Sequence, residues 1–257
     1  MESPVNPGAS TPMPKSLWAA TTARPEPYPL LQGRVDTEVC IIGGGFLGLS
    51  AALALSERGT NVALLEAAEI GWGASGRNNG LVAAGLKRDP WQVRRKLGAE
   101  RGDRLLRFSG AAPDRVFELI DRHGIDCDAD RRGWVQAAHS KRALKVVQRR
   151  ATEWQSMGVD AGMLAVSDLA SELGTDVYKG GCCYAGGGSI NPLAYAHGLA
   201  QAASMAGALL HEQSPAIRIE RQQGLWIVVS PYGAVVARHV LCCTNAYNAS
   251  IEPLQGT

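Results

Sequence analysis

No apolar run in this sequence approaches the ~18–20 residues that cross a bilayer as a helix. The opening stretch, MESPVNPGASTPMPK, lacks the basic start and apolar core of a secretory signal. A charge excess is missing too. Lys and Arg number 26 against 24 Asp and Glu, a net charge of +2, so nothing calls for a nucleic acid or an anionic membrane as partner. Six cysteines are present, Cys40, Cys127, Cys182, Cys183, Cys242 and Cys243, but no Cys-x-x-Cys. Two adjacent pairs and two singletons do not make a disulfide framework. They read as reduced thiols serving as small buried apolar groups. The five histidines include no pair at metal-ligand spacing, so no metal site is expected. These absences point to a soluble cytoplasmic protein. What is present is 257 residues, 46% hydrophobic, with 30 glycines. That suffices for one large or two small domains with a substantial core, and it is too apolar and aperiodic for a disordered or collagen-like chain.

Residues 1–34 hold seven of the thirteen prolines. That density excludes helix and central strand and predicts an extended or disordered leader laid over the domain surface. From Asp36 the texture changes. TEVCIIG is a short, nearly continuous apolar run, as in a strand buried on both faces. FLGLSAALALSERG follows as a helix stopped by Gly59, and NVALLE as a second buried strand. Together they span residues 36–66, the length of a βαβ unit. Residues 87–107 carry eight Lys/Arg and three acids and read as a solvated helical surface. Gly110 and Pro113 divide that helical region from DRVFELIDRHG. RGWVQAA reads as a strand. Ala143, Leu144, Val147, Ala151 and Trp154 lie on one stripe of an amphipathic helix over 140–157. Asn191 and Pro192 open a further helix that Gly207 closes. In the tail, AIRIE, LWIVVS and AVVA predict a β-meander, and HVLCC another buried strand.

Gly43-Gly44-Gly45-Phe46-Leu47-Gly48 carries the strongest signal. It is a G-x-G-x-x-G set between strand and helix. Gly43 permits the tight turn, Gly45 lets the backbone approach a pyrophosphate, and Gly48 lets helix and strand pack closely. The helix N-terminus offers unpaired N–H groups to phosphate charge. Glu66 ends the second strand 23 residues after Gly43, where a carboxylate accepts hydrogen bonds from a ribose diol. No Arg or Lys follows it in Ala67-Ala68-Glu69, which argues against a 2′-phosphate. The next stretch, GWGASGRNNG, is glycine-rich and donor-rich. Ser75, Arg77, Asn78 and Asn79 suit the longer cofactor FAD, whose ribityl and flavin extend beyond the pyrophosphate. By itself the stretch serves equally as a polar surface loop.

In SLWAATT, VCIIGGGFLGLSAALALSERG, VALLEAAEIGWGASGRNNG, RHGIDCD, SINPLAYAHGLAQAA and VLCCTNAYN the chain resembles the FAD-dependent amine and D-amino-acid oxidoreductases (the DAO family), and among them the gamma-glutamylputrescine oxidoreductases. These segments run from about Ser16 to Asn248. GASGRNNG and TNAYN are more specific than the glycine fingerprint. Asn79 stands where family members usually carry a second Gly.

The resemblance implies an α/β fold. Its Rossmann-like FAD-binding domain has a parallel core sheet (37–42, 61–65 and 239–243) with the β-meander lying against it. Part of a second, α+β substrate domain accompanies it. The expected division is a Pro-rich leader over 1–35, the FAD-binding domain over 36–87 and 186–257, and the partial substrate domain over 88–185. The resemblance further implies FAD held by Gly43, Gly45, Phe46, Leu47, Gly48, Glu66 and Ala67. Ala74, Ser75, Arg77, Asn78, Asn79 and Gly80 would follow, with an adenine contact near Ala216 and further contacts at Thr244 and Asn245. The implied reaction oxidises the C–N bond of a small amine or amino acid by hydride transfer to flavin, with oxygen or another acceptor reoxidising it. The flavin carries that chemistry. No residue stands out as catalytic. Tyr184, His197 and Tyr247 are candidates by residue type alone, with packing the expected role. Family members continue well past the position of Thr257, so a C-terminally truncated chain is expected. The readings left open are an FAD-dependent enzyme, working alone or with a second chain that supplies the rest, and a non-catalytic FAD-binding remnant.

Overall fold

The computed structural model describes residues 12–249 and 251–254. The chain forms two compact units. One runs to Asn79 and takes in Ile125–Cys127 and the chain from Asn191; the other comprises Gly80–Gly124 and Asp128–Ile190. In chain order the elements begin with α1 (Leu17–Thr21), β1 (Gly33–Ile42), α2 (Phe46–Ser56), β2 (Val62–Leu65) and β3 (Leu81–Val82). Next come α3 (Pro90–Leu97), α4 (Ala99–Gly110), α5 (Ala112–His123), β4 (Trp134–Ala137), α6 (Lys141–Gln155), β5 (Ala161–Leu164) and α7 (Val166–Leu173). The last are β6 (Gly181–Tyr184), β7 (Gly188–Ser189), α8 (Pro192–Met205), β8 (Leu209–His211), β9 (Arg218–Gln222), β10 (Leu225–Ser230) and β11 (Gly233–Cys242). No helix among the described residues is long and apolar enough to cross a membrane.

The first unit is built on a six-stranded sheet of order β8-β2-β1-β11-β10-β9. Its first four strands are parallel, as the continuous apolar runs predict. β1 lies between β2 and β11, and its last four residues, Val39–Ile42, are buried, as is all of β2. Helices α2 and α8 pack against each other. Asn191 caps α8 by accepting from Ala194 N at 3.2 Å, and Pro192 occupies its first turn, as expected. Gly198 makes room on α8 for Ile125, whose side chain would overlap any Cβ there. Leu31, Cys40, Ile42, Ala63, Leu65, Val228 and Val235 join in one core cluster.

Several expectations need correction here. The β-meander does not lie against the sheet; β10 and β9 extend it edgewise, antiparallel to β11 and to each other. AVVA and HVLCC are not two strands but one. β11 pairs with β1 along its whole length and with β10 only over Gly233–Ala237. Beyond Ala237 it is not buried: Arg238, His239, Leu241 and Cys242 are exposed. Hydrogen bonding to β1 and the packing of the partly buried Val240 against the core keep that stretch in the sheet. The thiols divide accordingly. Cys40 is buried, and burial pushes it up to about 12, whereas Cys242 is exposed.

The leader is neither helix-free nor loose over its described residues. Pro14 and Pro25 bracket a proline-free window in which α1 forms, with Ser16 Oγ accepting from Ala19 N. Leu31 is fully buried, and its N–H donates to Ser214 Oγ at 2.9 Å.

The second unit is α+β. Its sheet β4-β6-β5 is antiparallel, and β3 pairs with β7. Val147, Ala151 and Trp154 of α6 are buried with Val93, Leu106 and Tyr184. Gly98, at φ +78, separates α3 from α4. The basic segment is not simply a solvated face. The half-buried Arg94 donates to Asp103 at 2.6 Å and to Glu153 at 2.7 Å, tying α3 and α4 to α6.

Leu31→Ala should destabilise the first unit by about 2–5 kcal/mol, the usual cost of a fully buried leucine. Urea unfolding measures it. A loss within the noise would mean that the leader does not complete this core.

Candidate functional site

β1 delivers the chain to a turn that only glycine can make. Gly43 has φ +110, and a Cβ there would lie 2.7 Å from Cys243 O. Its N–H donates to Leu65 O at 2.8 Å. At Gly44 a Cβ would meet Ile70 Cδ1 at 2.6 Å and at Gly45 it would meet Ser75 Oγ at 2.8 Å. At Gly48 it would overlap Gly43 O, so the helix could not start this close to the strand. The Ser75 hydroxyl accepts from Phe46 N at 3.0 Å, and so satisfies one of the N–H groups that the first turn of α2 leaves open. The Phe46 ring stands edge-on to Tyr195, and Leu47 is exposed.

Glu66 closes over this turn. Its Oε2 accepts from Gly44 N at 2.7 Å and its Oε1 from Ala68 N at 3.0 Å. A carboxylate offers about four acceptor positions, so the part-buried group keeps capacity for the hydroxyls of a diol. Burial pushes its pKa up, the N–H groups of Ala68, Gly44 and Ala67 oppose that, and the charge of Glu212 adds to the rise. Ala67 is exposed beside it.

The 71–80 loop is anchored on the same turn by Gly71 N, which donates to Gly44 O at 3.0 Å. Residues Ala74–Gly76 form a single 3-10 turn that presents Ser75. Arg77 donates through Nη2 to Tyr247 OH at 3.0 Å and lies 4.8 Å over the Trp72 ring. Asn78 Nδ2 donates to Ser75 O at 2.8 Å, and Trp18 of α1 donates to Asn78 O at 2.8 Å. Asn79 is exposed, and Gly80 opens the second unit. Thr244 and Asn245 follow Cys243, whose N–H donates to Ile42 O, and Asn245 takes the left-handed conformation at φ +50. Ala216 is buried in the core cluster with Ala63 and Leu65, downstream of Ser214, whose N–H donates to Glu66 O at 2.8 Å.

Apart from Gly80, the proposed residues therefore belong to one unit, and most gather where β1, β2 and β11 end. That is the edge at which open α/β sheets take up ligands. The donor set fits the ADP portion of a dinucleotide: a side-chain-free turn, a helix N-terminus and a carboxylate with spare acceptor capacity.

Of the three catalytic candidates, Tyr184 is buried and stacked on Trp134 in the second unit. His197 is half-buried on α8, where burial holds its pKa down. Tyr247 is half-exposed against Arg77 and Trp72. Sequence reasoning missed Glu212 and Ser214. Both lie just after β8, a strand too short to show a periodicity.

The FAD-dependent oxidoreductase (DAO) family profile matches residues 38–257. The chain is 32% identical to gamma-glutamylputrescine oxidoreductase of Escherichia coli over 240 residues, 93% of this chain and 56% of that protein. It is also 32% identical to probable oxidoreductase OrdL of Haemophilus influenzae over 221 residues, 86% of this chain and 51% of that protein. It spans about half the length of the curated relatives it matches. Among solved structures, glycine oxidase from Geobacillus kaustophilus superposes with a TM-score of 0.68 at 24% identity, covering 84% of this chain and 57% of that one. L-amino acid deaminase from Proteus myxofaciens gives 0.71 at 20%, covering 85% and 47%. At these identities the likeness establishes the fold.

The raised pKa of Glu66 has a signed consequence. The folded chain holds this proton to higher pH than the unfolded one, so stability falls as the pH climbs from 4.5, the ordinary value, through the raised one. Wild type should lose stability relative to Glu66→Gln across that window in denaturant titrations. A difference independent of pH would contradict the assignment.

Proposed function

The chain belongs to the FAD-dependent oxidoreductase (DAO) family, and from that premise we propose that its first unit holds FAD for the oxidation of a C–N bond in a small amine or amino acid. The observation carrying this reading is the turn Gly43–Gly48 closed by Glu66 at 2.7 Å. In it, Glu66 accepts from the ribose hydroxyls. Gly43, Gly45, Gly48 and the start of α2, with Phe46 and Leu47, face the pyrophosphate. Ala67 and Ala216 border the adenosine. Ala74, Ser75, Arg77, Asn78, Asn79 and Gly80, together with Thr244 and Asn245, attend the rest of the cofactor. Bound FAD supplies the hydride acceptor. The protein's part is to bind it, to keep Glu66 ionised against the ribose, and to hold the 71–80 loop through Arg77 and Tyr247.

The identity to the Escherichia coli protein favours a gamma-glutamylputrescine-like amine as substrate; oxygen as acceptor and the cytoplasm as location are further parts of the proposal. A second reading follows from the chain spanning about half the relatives' length. In it, these residues bind FAD without completing the chemistry alone, and a second chain supplies the remainder.

Titration with FAD, followed by flavin fluorescence, tests the site. Glu66→Ala should weaken binding about ten- to hundred-fold, the worth of ~1.5–3 kcal/mol in a charge-assisted hydrogen bond. Gly45→Val should abolish it, with cooperative unfolding checked because the new side chain also meets Ser75. Equal affinity in wild type and Gly45→Val would contradict the site.

Peroxide release with gamma-glutamylputrescine and a panel of small amines separates the two readings. The second reading expects no useful turnover by residues 1–257 alone, since catalysis needs the reacting carbon held at ~3–3.5 Å from its acceptor with water excluded. Robust turnover by the isolated chain would remove it.

A further inference from the structure

Glu212 is a buried carboxylate with no part in the cofactor site as assigned. It follows β8 and is 7% exposed. Each of its oxygens is engaged: Oε1 accepts from Ile70 N at 2.6 Å and Oε2 from Tyr28 N at 2.9 Å. Its own carbonyl accepts from Ser214 Oγ, which in turn accepts from Leu31 N. One side chain thus joins three stretches of chain: the leader, the segment after β2 and the strand end that carries it.

The partners matter because of where they sit. Ile70 is the residue that a Cβ on Gly44 would strike, and Gly71 donates to Gly44 O. Holding Ile70 N holds the 66–71 segment against the glycine turn, and with it Glu66. Neighbouring contacts run the same way: Gln213 N donates to Ala68 O and Ser214 N to Glu66 O. Burying a carboxylate is costly unless its hydrogen bonds are made, so this arrangement persists only while both N–H groups stay in place.

We propose that Glu212 is a positioning residue of the cofactor site, locking the Glu66–Gly71 segment onto the Gly43–Gly48 turn and tying the leader to the same lock. This rests on the reading that Glu66 receives the ribose. Glu212 also acts on Glu66 through its charge. The groups around Glu66 are the N–H donors of Gly44, Ala67 and Ala68 and the like charge of Glu212. Glu69 lies 4.0 Å from Arg24, and His211 Nδ1 donates to Pro29 O. Removing the charge of Glu212 therefore lets Glu66 stay ionised to lower pH.

The test combines amide hydrogen exchange with FAD titration across pH, on wild type, Glu212→Gln, Glu212→Asp and Glu66→Ala. Glu212→Gln keeps one acceptor and turns a donor toward the other N–H. It should speed exchange at Tyr28 and Ile70 and move the acid midpoint of FAD binding to lower pH. Glu212→Asp keeps the charge but is too short to span both N–H groups. It should speed exchange while the midpoint stays near that of wild type, and it serves if Glu212→Gln does not fold. Unchanged exchange in both variants would overturn the proposal. An unmoved midpoint in folded Glu212→Gln, with Glu66→Ala still weakening FAD, would overturn it too and leave Glu212 a packing residue. If Glu66→Ala leaves FAD binding intact, the cofactor reading itself fails, and the exchange arm still decides whether Glu212 anchors the segment.

Discussion

The first unit depends on the absence of one side chain. Gly48 sits so close to Gly43 that any Cβ would overlap its carbonyl oxygen. That contact lets α2 begin shortly after β1. The same economy recurs around it. Gly43 clears Cys243 O, Gly44 clears Ile70, and Gly45 clears Ser75. Four glycines in six residues bring Ile70, Ser75 and the Cys243 carbonyl within contact of one turn. The turn and its flanks hold these contacts through Gly71 N to Gly44 O, Phe46 N to Ser75 Oγ and Cys243 N to Ile42 O.

Two carboxylates fix the chain after β2 to that turn and to the leader, and they share one neighbourhood. Glu66 spans Gly44 N and Ala68 N; Glu212 spans Ile70 N and Tyr28 N. Buried backbone donors need partners, and here acidic side chains supply them where the sheet ends. The cost is the burial of a carboxylate, which pushes the pKa of Glu66 up, with the like charge of Glu212 adding to the rise. A ribose donating hydroxyls to Glu66 would offset part of that cost, so binding and local stability draw on the same group. Arg77, stacked on Trp72 and bonded to Tyr247, joins the 71–80 loop to the turn after β11.

What could be read in the sequence was what is local in the chain. The βαβ unit, the glycine turn and Glu66 occupy one continuous stretch, and the spacing alone orders them. The caps at Asn191 and Pro192 and the stripe of α6 were legible for the same reason. The errors came from tertiary pairing. β11 reads as two strands because its burial changes at Ala237, whereas β1 pairs with all of it. The meander reads as a separate layer because nothing in alternation says which edge a hairpin joins. Glu212 left no mark, since a buried acid is recognisable only once its two N–H partners, 184 and 142 residues away, are in place. The structure also puts the Ser75 hydroxyl beside Gly45, a contact the fingerprint could not contain.

The central claim is that the turn Gly43–Gly48, closed by Glu66, receives the ADP portion of FAD. Backbone amide chemical shifts recorded while ADP is added to the isotope-labelled chain test it most directly. Saturable shifts are expected at Gly44, Gly45, Phe46, Ala67 and Ala68, with the amides of β4, β5 and β6 unmoved. Saturable binding of ADP that leaves the Gly44–Phe46 amides in place would contradict it.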